Sequence, residues 1–262
     1  MASLTITTIQ SDIHWENIAA NLEMFTAKIR SVREKKEIVV LPEMFTTGFS
    51  LNTSMAETMD GSALQWMRAM AQQERIIIIG SLMIEDNGKF FNRLICMYPN
   101  GQFGHYDKRH LFSFAHEHKH YAPGNKRFIF SVNGWKINTQ ICYDIRFPVW
   151  TRQNIKDGQP EYDILLNVAN WPKSRIMHWN TLLQARAIEN QCYVVGVNRV
   201  GIDANYGLAY SGSSSIISPF GDIIYTKEDA EDIFTITLEK NILEKVRSSF
   251  PFLQDADSFV IN

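Results

Sequence analysis

The first third of the chain alternates short apolar runs with amphipathic stretches, and this order constrains the fold more than any other feature of the sequence. The apolar runs cover 4–9, 38–41 and 76–83 and are rich in isoleucine and valine, which favours buried strands. Between the first two runs, apolar side chains recur every three or four positions, the spacing of one helix face: Ile18, Leu22, Phe25, Ile29 and Val32. The chain therefore begins as strand, helix, strand.

A second helix is predicted over 62–75, directly before the third strand. Ser62 and Gln65 have the spacing of a capping box at its start, and Trp66, Met67 and Met70 are expected to face the core. A β-α-β-α-β order calls for parallel strands with the helices packed against the sheet.

The middle of the chain changes to antiparallel signals. Asn-Gly pairs at 87–88, 100–101 and 133–134 each lie between β-like runs, and this dipeptide is a strong signal for a hairpin. We expect antiparallel strands and, between the second and third of them, a polar, histidine-rich loop over 108–125. The predicted strands cover 89–98, 103–106, 128–132 and 136–141.

The last third returns to the opening pattern. The sequence predicts strands over 162–168 and 192–197, a strand pair around 219–222 and a final strand over 233–238. A helix is predicted over 178–189, with these side chains facing inward: Leu182, Leu183, Ala185 and Ile188.

Two α/β halves joined by hairpins suggest two mixed sheets packed face to face with helices outside. We therefore expect an α/β fold, a four-layer α-β-β-α sandwich, with a doubly wound single sheet as the alternative. No linker or repeat divides the sequence, so residues 1–262 are expected to form one domain. Residues 239–262 are expected to form a C-terminal extension that packs on the core or on a partner subunit.

Charge and composition narrow the partners and the compartment. Lys plus Arg number 26 and Asp plus Glu 28, so no broad basic field is available for nucleic acid or for an anionic membrane. The N-terminus lacks the pattern of a signal peptide, and the longest purely apolar run, 76–79, is far below the ~20 residues that span a bilayer. Three cysteines with apolar neighbours favour a reducing compartment, so we expect a cytoplasmic protein.

Three residues with useful chemistry follow predicted strands at points where the sequence turns abruptly polar: Glu43, Lys108 and Cys142. Strand ends are where open α/β sheets place ligands, and a carboxylate, an ammonium and a thiol supply a base, an electrostatic stabiliser and a nucleophile. Each also has a simpler interpretation, as a solvated strand end, a surface lysine or a buried thiol. Cys96 and Cys192 fit the buried thiol better, because Cys142 alone is followed by charged residues.

Other chemistries receive less support from the sequence. The segment His116-Glu117-His118-Lys119-His120 could bind zinc, but no fourth ligand occurs at a familiar spacing, so we expect no metal. Neither a Gly-x-Gly-x-x-Gly or Walker loop nor a Gly-x-Ser-x-Gly elbow occurs, so no nucleotide cofactor is expected. Arg186–Asn190 is interpreted as a helix end with its own charge pairs.

Three motifs resemble the signatures of one family. Leu-Pro-Glu-Met-Phe around Glu43, Asp-Lys-Arg-His-Leu-Phe around Lys108 and Cys-Tyr-Asp-Ile-Arg-Phe-Pro from Cys142 look like those of the nitrilase (carbon-nitrogen hydrolase) superfamily, in the same order. The resemblance runs from about Leu4 to Leu238. It implies the four-layer sandwich and association through the outer helices as a homodimer or a higher homo-oligomer.

Within that superfamily the chain is similar to the omega-amidase branch, through Asn170-Trp171-Pro172, Arg175 and the segment 185–190. Tyr143-Asp144 follows Cys142 where nitrilases usually carry Trp-Glu, which favours amides over nitriles. The resemblance implies hydrolysis of the terminal amide of 2-oxoglutaramate or 2-oxosuccinamate to the dicarboxylate and ammonia. Alternatives are another small-amide or carbamoyl-amide hydrolase, an inactive interaction module and a metal-binding regulator.

The resemblance also implies roles for individual residues, without a cofactor. Cys142 would attack the amide and form a thioester, Glu43 would act as base and then acid, and Lys108 with the Tyr143 backbone N–H would hold the oxyanion. Glu117 would position Lys108 or the substrate amide. The expected substrate-binding residues are Arg175, Arg146 and Tyr121. Of these, Arg175 is predicted to bind the distal carboxylate, since a guanidinium can do so bidentately.

Overall fold

The computed structural model describes residues 2–257 and 259–261. In chain order its first elements are β1 (Ser3–Gln10), α1 (Ile18–Ser31), β2 (Ile38–Val40), α2 (Ser62–Glu74), β3 (Ile77–Asp86), β4 (Lys89–Met97), β5 (Phe103–Asp107), β6 (Phe128–Val132) and β7 (Trp135–Ile141). They continue as α3 (Pro148–Thr151), β8 (Ile155–Lys156), β9 (Gln159–Pro160), β10 (Ile164–Ala169), α4 (Ile176–Asn190), β11 (Tyr193–Asn198), β12 (Val200–Ile202), β13 (Ala209–Ile217), β14 (Ile223–Glu228), β15 (Asp232–Glu239) and α5 (Lys240–Ser249).

Two mixed sheets contain all the strands except the short β8–β9 ribbon. The first sheet has the order β15-β1-β2-β3-β4-β5, and the second has the order β12-β13-β11-β10-β7-β6 with β14 paired to β13. β1, β2 and β3 are parallel, as their intervening helices predict, and the Asn-Gly turns join antiparallel strands. β15 returns along β1 in antiparallel register, from Ser3 opposite Glu239 to Gln10 opposite Asp232.

Three apolar cores separate four layers. The central core lies between the two sheets and includes side chains of both, such as Ile6 and Val40 of the first and Ile141 and Leu166 of the second. α1 and α2 cover the outer face of the first sheet, and α4 covers the outer face of the second. The predicted α-β-β-α sandwich is confirmed, with two sheets in place of the single doubly wound sheet.

The start of α2 differs from the prediction. Ser62 is the first residue of the helix and not its cap, so the Ser62–Gln65 capping box is wrong. Glu57 does the capping instead, because its carboxylate accepts hydrogen bonds from the backbone N–H groups of Ser62 at 2.6 Å and Ala63 at 3.1 Å. A carboxylate suits this place because it meets both the free N–H groups and the positive end of the helix dipole.

The inward face of α4 also differs. Leu183 is buried as expected, but Ile188 is 53% exposed, and the buried positions include Arg186 and Asn190. The buried stripe follows Trp179, Leu183 and Arg186, so Ile188 lies on the opposite side of the helix. No helix among residues 2–257 and 259–261 is long and apolar enough to cross a bilayer.

Candidate active site

The three polar residues that follow strands meet at one edge of the sandwich. Glu43 and Lys108 follow β2 and β5 of the first sheet, and Cys142 follows β7 of the second. Lys108 Nζ lies 2.9 Å from Glu43 Oε1, and the charges of both groups act on the Cys142 thiol. The site is therefore built across the contact between the two sheets.

Glu43 is fully buried, and its carboxylate has a fixed orientation. Oε1 accepts hydrogen bonds from Lys108 Nζ at 2.9 Å and Asn92 Nδ2 at 2.8 Å. Oε2 accepts a hydrogen bond from the backbone N–H of Asn170 at 2.8 Å. The backbone turns directly after Glu43, where Met44 has a left-handed φ of 44°. This turn ends the strand and leaves the carboxylate facing the other polar groups.

Glu117 comes from the histidine-rich loop and is buried on the other side of Lys108. Both of its carboxylate oxygens lie 3.0 Å from Lys108 Nζ, and Oε2 also accepts a hydrogen bond from the backbone N–H of Phe112. His116, with a left-handed φ of 62°, turns the chain just before it. Burial raises the pKa of Glu117; the Lys108 ammonium opposes that rise, and the Glu43 carboxylate adds to it.

Lys108 stays charged in spite of its burial. Burial by itself favours the neutral amine, but the carboxylates of Glu117 and Glu43 outweigh it, so the pKa of Lys108 lies above its ordinary value. The Lys108 ammonium therefore lies between the side chains of Glu43 and Glu117, next to Cys142.

Cys142 begins a 3₁₀ turn, Cys142–Arg146, which we call the Cys142 turn. Cys142 has a left-handed φ of 44°, a backbone conformation that is uncommon for residues other than glycine and that occurs preferentially at functional sites. Cys142 is partly exposed, whereas Cys96 and Cys192 are buried. Burial by its surroundings raises the pKa of the Cys142 thiol, and the Glu43 carboxylate raises it further.

Asp144 fixes the Cys142 turn from the side of the first sheet. Its buried carboxylate accepts hydrogen bonds from the backbone N–H groups of Ile141 at 3.1 Å and His110 at 2.9 Å, and from the Tyr106 hydroxyl at 2.8 Å. His110 Nδ1 lies 2.8 Å from the same carboxylate. These bonds connect the turn to β5 and to the segment that carries Lys108.

Arg186 holds the same turn from α4. Its guanidinium donates two hydrogen bonds to the Ile145 carbonyl, from Nε at 3.1 Å and from Nη2 at 2.6 Å. Nη1 forms the predicted ion pair with Glu189 at 2.9 Å. Arg186 is only 4% exposed, so the interpretation of this segment as a self-paired helix end was incomplete.

A cavity opens above Cys142. Its wall is largely aromatic or apolar and includes Phe49, Phe112, Trp171, Pro172, Leu208 and Tyr210. The polar side chains that line it are Lys108, Cys142, Asn170, Arg146 and Arg175. The Tyr143 backbone N–H lies in the first turn of a 3₁₀ segment, where such groups lack a partner within the helix.

Two of the three expected substrate-binding residues line the cavity, and the third does not. Arg146 and Arg175 both line the cavity; Arg146 donates to His178 Nδ1 at 3.0 Å, and the Arg175 guanidinium lies 5.4 Å from the centre of the Phe112 ring. Tyr121 is buried, and its hydroxyl donates to the Ser50 carbonyl at 2.6 Å. Tyr121 is not among the residues that line this cavity.

The remaining side chains of the histidine-rich segment are turned outward. His116, His118 and His120 are exposed while Glu117 is buried. Within residues 2–257 and 259–261, no group of three or more histidine, cysteine, aspartate or glutamate side chains is arranged to hold a metal ion.

Several residues of the site carry no signal that the sequence analysis used. Asn92 lies inside β4, where its neighbours predict only a strand. Asp144 and Asn170 belong to the motifs quoted above, but without a role of their own. Their hydrogen bonds to other segments could be foreseen only from the way the two sheets meet.

The sequence and the fold match a known family. The carbon-nitrogen hydrolase family model matches residues 5–247, so the chain belongs to the carbon-nitrogen hydrolase family. A crystal structure of a superfamily member from Xanthomonas campestris, with an arsenic adduct in its active site, has a TM-score of 0.97 and 41% identity over 100% of both chains.

Two relatives with assigned names place the chain more closely. It is 44% identical to the omega-amidase YafV of Escherichia coli K12 over 99% of both chains. It is 33% identical to a 2-oxoglutaramate amidase of Bacillus subtilis, over 96% of both chains. The resemblance to the nitrilase superfamily and its omega-amidase branch is confirmed.

Proposed function

We propose that the protein is an omega-amidase that hydrolyses the terminal amide of small dicarboxylic acid monoamides, such as 2-oxoglutaramate and 2-oxosuccinamate. The observation that carries the proposal is the convergence of buried Glu43 and Lys108 on Cys142 at the floor of a cavity that also contains Arg146 and Arg175. The full-length relatives support this substrate class.

The reaction starts from a protonated thiol, since the raised pKa of Cys142 disfavours a free thiolate. Glu43 takes the proton as Sγ attacks the amide carbon, so that negative charge moves to the substrate oxygen without accumulating on sulfur. Glu43 then gives this proton to the leaving nitrogen, and ammonia departs from a thioester. Water activated by Glu43 hydrolyses the thioester and frees Cys142.

Lys108 and the Tyr143 backbone N–H stabilise the oxyanion. Lys108 suits the role because its charge is maintained by Glu43 and Glu117 on one side and faces the cavity on the other. A preorganised donor of this kind is typically worth ~10²–10³ in rate. Glu117 keeps the ammonium in place, because both of its oxygens are hydrogen bonded to Nζ.

Turnover of 2-oxoglutaramate, measured as ammonia release, tests the proposal. Cys142→Ala should abolish turnover and Glu43→Gln should reduce it by orders of magnitude, whereas Cys96→Ala and Cys192→Ala should leave it largely intact. Intact-mass trapping should place the acyl group on Cys142. An acyl group on another cysteine, or a Glu43→Gln variant with near-normal kcat, would contradict these roles.

Arg175 is proposed to bind the distal carboxylate. Both guanidinium groups lie over aromatic rings, Arg175 over Phe112 and Arg146 over Trp171. Arg146 also donates to His178, whereas the Arg175 guanidinium has no hydrogen-bond acceptor among the described residues. Arg175→Lys should lower kcat/KM for 2-oxoglutaramate. The loss should correspond to on the order of 1.5–3 kcal/mol of transition-state stabilisation. Arg146→Lys is the matched comparison.

Neutral short amides provide the control for Arg175, because they carry no carboxylate. Their kcat/KM should hardly change in Arg175→Lys. An equal loss on charged and neutral amides would mean that Arg175 shapes the cavity without reading charge. Higher kcat/KM of the native protein for neutral or carbamoyl amides would favour another small-amide hydrolase of the same family.

We further propose that the protein works in the cytoplasm as a homodimer or a higher homo-oligomer. Three free cysteines agree with a reducing compartment. Met177 and Ile188 are exposed on the outer helix α4, the layer through which the family is expected to associate. Sedimentation velocity should show a species above the 30.2 kDa monomer, and Ile188→Lys should shift it toward the monomer.

A further inference from the structure

Asn170 is tied to Glu43 at two points. Its backbone N–H donates to Glu43 Oε2 at 2.8 Å, and its side-chain Nδ2 donates to the Glu43 backbone carbonyl at 2.6 Å. A carbonyl oxygen can only accept, so Nδ2 must be the atom that faces Glu43. The position of the other amide atom, Oδ1, is fixed as a result.

Oδ1 of Asn170 is an acceptor without a donor. Asn170 is only 7% exposed, and Oδ1 is buried with no hydrogen-bond partner among the described residues. Asn170 also lines the cavity next to Cys142. A buried carbonyl oxygen without a hydrogen bond is costly in free energy. A hydrogen bond from a substrate donor to this oxygen would therefore be more favourable than one to a solvated acceptor.

The two carboxylates in this part of the site already accept hydrogen bonds. Glu117 uses both oxygens for Lys108, and Oε2 also for the Phe112 N–H. Glu43 accepts from Lys108 and Asn92 on one oxygen and from Asn170 on the other. A primary amide brings two N–H donors into this part of the site. Among the described residues, Oδ1 of Asn170 and Oδ1 of Asn92 are both buried acceptors without a donor, but only Asn170 lines the cavity that the amide would enter.

We propose that Asn170 Oδ1 is the subsite for one N–H of the substrate's primary amide and selects amides over esters. In the tetrahedral intermediate this bond would hold the nitrogen with its lone pair toward Glu43. Glu43 then transfers the proton it received from Cys142, the C–N bond breaks, the C–O π bond reforms, and ammonia leaves. The inference rests on the proposed amidase function and adds the group that recognises the leaving nitrogen.

Ester substrates distinguish recognition of the leaving nitrogen by Asn170 from the positioning of Glu43 by the same residue. A methyl ester of the same acid needs the same nucleophile, base and oxyanion donors, but its leaving oxygen carries no N–H. Asn170→Ala should therefore reduce kcat/KM for 2-oxoglutaramate more than for the corresponding methyl ester, lowering the amide-to-ester ratio by about tenfold. The ratio is measured by ammonia and methanol release on the same enzyme preparation.

Asn92→Ala is the matched control. Asn92 also donates to the Glu43 carboxylate, at 2.8 Å, but it is not among the residues that line the cavity. Its loss should lower amide and ester turnover together and keep the ratio within about twofold of the native value. If Asn170→Ala does not fold, Asn170→Ser is used, in which the hydroxyl can donate to the Glu43 carbonyl.

An unchanged ratio in folded Asn170→Ala or Asn170→Ser would overturn the proposal, and so would an equal fall in Asn92→Ala. Failure of the amidase proposal has a different appearance: the native protein would release no ammonia from 2-oxoglutaramate. The ratio would then be measured on any amide and methyl ester pair of one acid that the native protein hydrolyses. The two proposals can therefore fail separately.

Discussion

Lys108 lies within 3.0 Å of two buried carboxylates, so its removal would leave both without this cation. We expect Lys108→Met to inactivate the enzyme and to destabilise the fold by about 3–5 kcal/mol, as for other broken buried ion pairs. Urea unfolding measures the second effect. Lys173→Met is the control, because the Lys173–Asp229 pair is largely exposed and should contribute only about 0–1 kcal/mol.

The deficit of Lys108→Met should depend on pH with a definite sign. Burial already raises the pKa of Glu117 and Lys108 opposes that rise, so without Lys108 the folded-state pKa would lie further above the unfolded value of about 4.3. The folded variant then takes up protons first as the pH falls, and its deficit relative to the native protein should shrink from pH 7 toward pH 5. A deficit that grows on acidification would contradict this account.

Glu43 is expected to have opposite effects on the chemistry and the acidity of Cys142. Its carboxylate raises the pKa of the thiol, after the larger effect of burial, so Glu43→Gln should lower that pKa while amide turnover falls. Iodoacetamide alkylation against pH measures the change, in a background carrying Cys96→Ala and Cys192→Ala. With native Glu43, the alkylation rate should still be increasing with pH above ~8.5, the ordinary pKa of a thiol. In Glu43→Gln the same increase should occur at lower pH. A shift to higher pH would be inconsistent with this site.

The residues that follow strands were predictable, and those that hold them were not. Glu43, Lys108 and Cys142 each stand where an apolar run meets polar sequence, which is a local signal. Asn92 donates to Glu43 from the middle of β4, and an asparagine inside a strand pattern does not reveal what lies across the sheet. The signal for such residues exists only once the strand order is known.

At the scale of single elements, α4 links the outer layer to the Cys142 turn. Arg186 donates to the Ile145 carbonyl from the buried face of this helix. Helical periodicity predicts the helix, but an arginine conventionally marks the exposed face, so the predicted buried stripe is rotated and includes Ile188. The error arises because the stripe includes a charged residue whose hydrogen-bond partner lies outside the helix.

Arg186→Leu should therefore affect catalysis as well as stability. Loss of both donors leaves the Ile145 carbonyl buried and unpaired, which we expect to cost about 1–3 kcal/mol in urea unfolding. Because the turn also positions Cys142, kcat should fall by about tenfold or more while KM changes little. Lys245→Ala, at an exposed position of α5 away from the cavity, should change neither quantity appreciably. Unaltered kcat in folded Arg186→Leu would remove Arg186 from the positioning of the nucleophile.

At the scale of the whole molecule, the first and last strands of the chain pair with each other. β15 pairs with β1 along eight residues, and α5 continues directly from β15. Leu243 of α5 is buried in the central core between the sheets, and Arg247 of the same helix forms an ion pair with Asp163 before β10 at 3.0 Å. The sequence analysis predicts that residues 239–262 pack on the core or on a partner subunit, and periodicity alone does not choose between the two; Leu243 of this segment lies in the core between the sheets.

Two adjacent residues of α5 test how far the central core depends on this helix. Leu243→Ala should lower the free energy of unfolding by about 2–5 kcal/mol, because it opens a cavity at a fully buried position. Ile242→Ala removes a similar side chain that is 48% exposed, so it should cost much less. Both variants should retain kcat on 2-oxoglutaramate, since neither residue lines the Cys142 cavity. Equal unfolding free energies for the two variants, measured in urea, would mean that α5 contributes little to the core that the two sheets share.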